Sequence, residues 1–201
     1  MAAPPETSAS LLLRLRDATD KASWNTFVAA YGPMIRGYCQ YQGLQEADAA
    51  DVSQEVLVRV VRSIGSFEYR PDIGRFRDWL GAVVRNAVRR FQNRDQSTPH
   101  GTGADDRPEL DVAGPADPEW TSRYQAGLLT AACDRAKPHF EPHTWRAFES
   151  VWLERTPAPA VAHELGLPIH AVYVAKSRVL QRIREELLFL AEDMPHAFPP
   201  D

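Results

Sequence analysis

Twenty-two consecutive residues in the middle of this chain, Ser97–Pro118, carry no apolar periodicity. The stretch reads STPHGTGADDRPELDVAGPADP. Proline, glycine and aspartate dominate it, which favours turns over packed elements. A chain of 201 residues divided there has room for two small domains and no third. The charge divides at the same place. Residues 1–94 carry a net +3, residues 95–119 a net −6, and residues 120–201 a net −1, summing to the overall −4. Screening over about 8–10 Å lets each patch act separately, so an acidic total does not exclude a polyanionic partner.

Both flanking blocks read as helical. Trp24, Phe27, Tyr31, Ile35 and Tyr38 recur at steps of three and four, with Gly32-Pro33 predicting a kink or a restart. Val52, Val56, Val60 and Ile64 predict a helix from about Ala47 to Ile64, stopped by Gly65. Phe76, Leu80, Val83, Ala87 and Phe91 predict another over Phe76–Arg94. In the second block, Trp145, Phe148 and Trp152 form a stripe after Pro142. Thr156-Pro157 reads as an N-cap with proline at the first helical position, opening a short helix to Leu165. Gly166 turns the chain into a long helix from about Ile169 to Ala191, with Val172, Val179, Ile183 and Leu187 inward. Helix, glycine turn, helix is the helix-turn-helix pattern.

Three segments carry chemistry. Asp48, Asp51 and Glu55 fall at i, i+3 and i+7, on one helix face opposite the valines. Such a trio fits a solvated acidic face, a docking face for a basic partner, or a metal site, although no histidine or cysteine joins it. Between Phe67 and Arg94, aromatics alternate with Arg75, Arg77, Arg85, Arg89, Arg90 and Arg94 against Asp78. Arginines grip phosphates and aromatics stack on unpaired bases, while Phe76 and Leu80 suit a core. His170, Tyr173, Lys176 and Ser177 lie off the inner stripe early in the last helix, where side chains of such a helix reach base edges.

Catalytic signatures are weak. His139 and His143 are spaced i, i+4, but Pro138 and Pro142 break a helical presentation. His163-Glu164 lacks the second histidine of HExxH, and neither a GxxxxGK loop nor a GxSxG elbow occurs. No apolar run can span a bilayer, and the first residues lack a basic start followed by an apolar stretch, so neither a membrane span nor a secretory signal is predicted. Cys39 and Cys133 cannot build a disulfide framework and read as reduced thiols in a cytosol.

In this order the motifs resemble an RNA polymerase sigma factor, of the small extracytoplasmic-function type of the sigma-70 family that keeps only regions 2 and 4. DAADVSQEVLVRV (Asp48–Val60), GRFRDWLGAVVRN (Gly74–Asn86) and VAHELGLPIHAVYVAKSRVLQRIREEL (Val161–Leu187) carry the resemblance. It implies an all-α chain of two small helical domains joined by a flexible acidic linker. Tails at 1–10 and 195–201 would flank region 2 at 11–95, the linker at 96–119 and region 4 at 120–194. Asp48, Asp51, Gln54, Glu55 and Arg59 would bind the clamp helices of core polymerase, and region 4 its flap. Phe67, Tyr69, Arg75, Arg77, Trp79, Arg85, Asn86, Arg89 and Arg90 would read and open the −10 element, with Trp79 in the core or as a wedge. His170, Ala171, Tyr173, Val174, Lys176, Ser177 and Arg178 would meet the −35 major groove. Many relatives carry a Lys-Ser-Arg triplet one turn earlier than this chain does. Asp105, Asp106, Glu109 and Asp111 would sit in the RNA path. No cofactor and no catalysis are implied; promoter DNA and core polymerase are partners, and an anti-sigma factor is a further candidate. The alternative is a stand-alone helix-turn-helix regulator working without polymerase.

Overall fold

The computed structural model describes residues 11–66, 76–94 and 117–191. Among them the fold is helical with no strand: α1 (Leu11–Arg14), α2 (Lys21–Tyr41), α3 (Glu46–Ser63), α4 (Phe76–Arg94), α5 (Pro118–Ala136), α6 (Pro142–Phe148), α7 (Ala158–Leu165) and α8 (Ile169–Leu190). A 3-10 turn, Ile64–Ser66, ends α3, and a π turn, Glu149–Leu153, extends α6.

Local chemistry explains most boundaries. The Asp20 carboxylate caps α2, accepting from the Ser23 backbone N–H at 3.0 Å and the Ser23 hydroxyl at 2.7 Å. The helix runs unbroken through Gly32 and Pro33, where a kink or restart was expected. Its stripe buries Phe27, Tyr31, Ile35 and Tyr38 against other helices, and that packing offsets the bond a proline forfeits. Nor does Thr156 cap α7: the cap position is Pro157, without a side-chain bond, and Ala158 opens the helix. Gly166 adopts φ +63°, a left-handed C-cap, and the chain turns directly into α8.

Helix α5 begins inside the stretch that reads as linker, with Pro118 and Glu119 in its first turn. Asp117 caps it by accepting from the Glu119 N–H at 3.0 Å, with Pro118 in the first turn. Trp120, Tyr124, Leu128, Ala132 and Ala136 make a fully buried stripe at strict i+4 spacing. This helix packs on α8 along one side and on α2 and α4 along the other. One continuous core therefore runs from Phe27, Tyr31 and Phe76 through Trp120 and Tyr124 to Phe148, Ile183 and Leu187. A second, small core of Ala147, Ala158, Val161, Ala162, Val172 and Ala175 closes α6, α7 and the start of α8. No helix among the described residues is long and apolar enough to cross a membrane.

Candidate polymerase and nucleic-acid interface

Helix α3 turns Ala49, Val52, Val56 and Val60 inward. Its outer side presents Asp51 and Gln54, both exposed, with Asp48 half-buried beside them. Val58 and Val61 stand on the same outer side, each 48% exposed. Two valines facing water at successive turns extend the acidic face into an apolar one, a combination suited to a protein partner. Sequence periodicity missed this, because an exposed valine looks like a core valine until the helix is placed.

Glu55 is not a free acid. Arg59 reaches it along α3 at 3.4 Å, and Arg90 of α4 reaches the same oxygen at 3.3 Å. The acidic face and the arginine helix thus meet at this carboxylate. All three side chains are about one-third exposed, so each ion pair contributes only tenths of a kcal/mol to about 1 kcal/mol.

Along α4 the predicted nucleic-acid residues part company. Arg89 is exposed and Arg85, Asn86 and Arg90 are half-buried. Trp79 is only 6% exposed, tilted against Phe76 at 5.4 Å between ring centroids, so it is a core residue. The Arg77 guanidinium pairs with Asp78 at 3.1 Å, and its carbonyl accepts the Trp120 indole N–H at 2.9 Å. Phe67, Tyr69 and Arg75 lie outside the described residues, as do Asp105, Asp106, Glu109 and Asp111.

Beside Arg85 lies a polar knot between α2 and the start of α5. The Tyr38 phenol donates to the Asp117 carboxylate, and Gln42 Nε2 donates to Tyr38 Oη at 2.8 Å. Burial, then the neighbouring carboxylate, raises the Tyr38 pKa well above the ordinary tyrosine value. The same hydrogen bond holds Asp117 below the usual carboxylate range, and the positive charge of Arg85 adds to the effect. Asp117 thus occupies part of the field of an arginine expected to hold DNA.

The first half of α8 faces outward. His170, Tyr173, Val174, Ser177 and Arg178 are exposed, Ala171 and Lys176 half-buried, and Ile169 is 44% exposed. Val172 and Ala175 point into the small core. A mixed apolar and cationic outer face suits base edges and thymine methyl groups. Cys39 is buried and Cys133 half-buried, and burial pushes each thiol up to about 11, as expected of inert cysteines. No group of three or more potential metal ligands forms among the described residues.

A comparison with curated proteins returned no match. Residues 27–98 match the family model of sigma-70 region 2, a span that takes in most of α2 and all of α3 and α4. The helices bearing the acidic face and the arginines are therefore the part of this chain that is similar to sigma-70 region 2.

Proposed function

We propose that the chain is a two-region sigma factor of the extracytoplasmic-function type. It docks on core RNA polymerase through α3 and directs it to promoters by reading a −10 element with α4 and a −35 element with α8. The region 2 match over residues 27–98 carries the reading, since its span includes both the exposed Asp51/Gln54/Val58/Val61 side and the arginines of α4. The outward face of α8 behind the Gly166 turn supports a second DNA-reading module. The chain acts by binding alone. Each DNA contact is small, and polymerase turns two weak contacts into one bivalent contact. The linker acids Asp105, Asp106, Glu109 and Asp111 occupy the RNA path before the transcript does, and an anti-sigma factor would compete for the same exposed faces. The cytoplasm, where polymerase works, is the matching compartment.

The test is core binding with run-off transcription. Asp51→Arg with Gln54→Arg changes two exposed side chains. The double variant is expected to keep its helical circular dichroism and lose at least tenfold in affinity for core polymerase. Normal affinity, or specific duplex binding by the wild-type chain alone as a dimer, would favour the stand-alone regulator.

A further inference from the structure

Helix α8 distributes its charge unevenly. Residues 169–184 hold Lys176, Arg178, Arg182 and Arg184 and no acid. The first carboxylates, Glu185 and Glu186, stand toward the far end, where Arg182 pairs with both. The opening turns, Ile169–Arg178, face outward over the small core, into which only Val172 and Ala175 point. At about 100° per residue, His170, Tyr173, Val174 and Ser177 occupy the middle of that outer face. All four are exposed, Tyr173 by 54% and Val174 by 51%, and Ile169 beside them by 44%. Half-buried Lys176 and exposed Arg178 fall on the two edges, roughly 160° apart around the axis.

The side chains of the middle strip select what it can read. Guanine is read by arginine or lysine bonding to O6 and N7 together, and adenine by asparagine or glutamine bonding to N6 and N7. No such side chain stands in the strip. Gln181, the nearest amide, lies a turn further on and donates to Glu185 at 3.4 Å. His170 and Ser177 offer single hydrogen bonds. Tyr173, Val174 and Ile169 offer apolar surface, and the apolar group on a base edge in the major groove is the C5-methyl of thymine. A helix about 10–12 Å across fits a groove about 12 Å wide. Seated there, cations on opposite edges meet the two phosphate walls. A border of one sign, with no acid from 169 to 184, is the mark of a polyanionic partner.

We propose that α8 selects thymines: Tyr173 and Val174, with Ile169 at the helix start, read C5-methyl groups in the major groove, while Lys176 and Arg178 hold the flanking phosphates without sequence preference. The inference rests on the reading of α8 as the −35 module and adds the class of base it recognises. The −35 element is accordingly rich in thymine, on either strand, at the steps under Tyr173 and Val174. Each methyl group buried against these side chains contributes about fourfold in affinity.

Replacing thymine by uracil tests this, because uracil pairs identically and lacks only the methyl group. Promoters with a randomised upstream element, transcribed by core polymerase loaded with the full chain, yield the preferred −35 sequence. Its thymines are then exchanged for uracil. Loss of two methyl groups under the strip is expected to lower the affinity of the loaded polymerase about fifteenfold. Tyr173→Ala with Val174→Ala changes two exposed side chains. That variant is expected to keep its helical circular dichroism and to bind thymine and uracil duplexes equally. Lys176→Ala should weaken both duplexes by one factor and preserve their ratio. A selected element without thymine, equal wild-type affinity for the two duplexes, or a double variant that still prefers thymine overturns the proposal and leaves the strip to a protein partner. Failure of the wild-type chain to start transcription with core polymerase would instead remove the sigma-factor reading. The same duplex library, selected on the full chain alone at low salt and compared with its uracil form, then decides the thymine proposal by itself.

Discussion

The two cores of this protein are built on opposite principles. Around α2, α4 and α5, large rings interlock: Phe27 stacks on Tyr31 at 4.4 Å, Phe76 meets both edge-on, and Trp120 meets Tyr38 edge-on at 5.2 Å. Around α7 and the start of α8, four of the six core residues are alanines. Bulk holds the first region and closeness holds the second. A core of rings fails when a side chain is removed, because neighbours cannot collapse into the space. A core of alanines fails when one is added, because backbones already sit near contact. Over the small core, the outer side chains of α8 are aimed by backbone turns and not by packed mass.

Substitutions of opposite kind should separate these regions. Phe27→Ala, at a side chain with no exposed surface, is expected to cost about 3–5 kcal/mol in urea denaturation. Glu186→Ala comes next. This carboxylate is 4% exposed and accepts from Arg135 of α5 at 2.6 Å and Arg182 at 2.5 Å. Losing it strands two guanidinium groups, but both are over one-third exposed and rehydrate, so about 2 kcal/mol is expected. Ala147→Leu, an added bulk in the small core, should cost about 1–3 kcal/mol and lower the melting temperature, whereas a volume-conserving Ile35→Leu in the ring core should cost under about 1.5 kcal/mol. Gly166→Ala, at φ +63°, should cost about 1 kcal/mol and loosen the turn before α8.

The smallest effect is a pH dependence where α2 meets the start of α5. Because folding lowers the Asp117 pKa, its contribution is present above the ordinary carboxylate pKa of about 4 and is lost as pH falls through the lower folded value. Between pH 5 and pH 3 the wild type should lose more stability than Asp117→Asn. Above neutrality the contact persists past the ordinary tyrosine pKa of about 10, since the Tyr38 phenol keeps its proton longer when folded. Equal slopes for the two proteins on the acid side would remove Asp117 from the account.

Periodicity made α2, α3, α4 and α8 legible, because each sets large apolar residues at steps of three and four. It failed at α5, whose inner stripe ends in Ala132 and Ala136 beside the small residues Ala126, Gly127, Ala131 and Cys133. Apolar contrast across that helix is weak, yet Asp117-Pro118 was a readable start and the i+4 spacing from Trp120 a readable face. Of the site, the exposure of Asp51 and Gln54 and of the outer residues of α8 followed from facing alone. The engagement of Glu55 by Arg90, the burial of Trp79 and the exposure of Val58 and Val61 did not, since each depends on where a second helix lies. The close packing of α5 was illegible for the same reason: Gly81 meets Trp120 and Gly127 meets Met34, and a glycine in sequence does not say what approaches it.

Helix α8 belongs to both cores, for its first turns close the small one while Val179, Ile183, Leu187 and Leu190 anchor the large one. It is a single rod of 22 residues, about 33 Å long. A tilt of about 10° about its middle swings either end through roughly 3 Å, close to one base-pair rise. Glu186 and Leu187, near the far end of the rod, therefore have leverage over where its exposed first turns point.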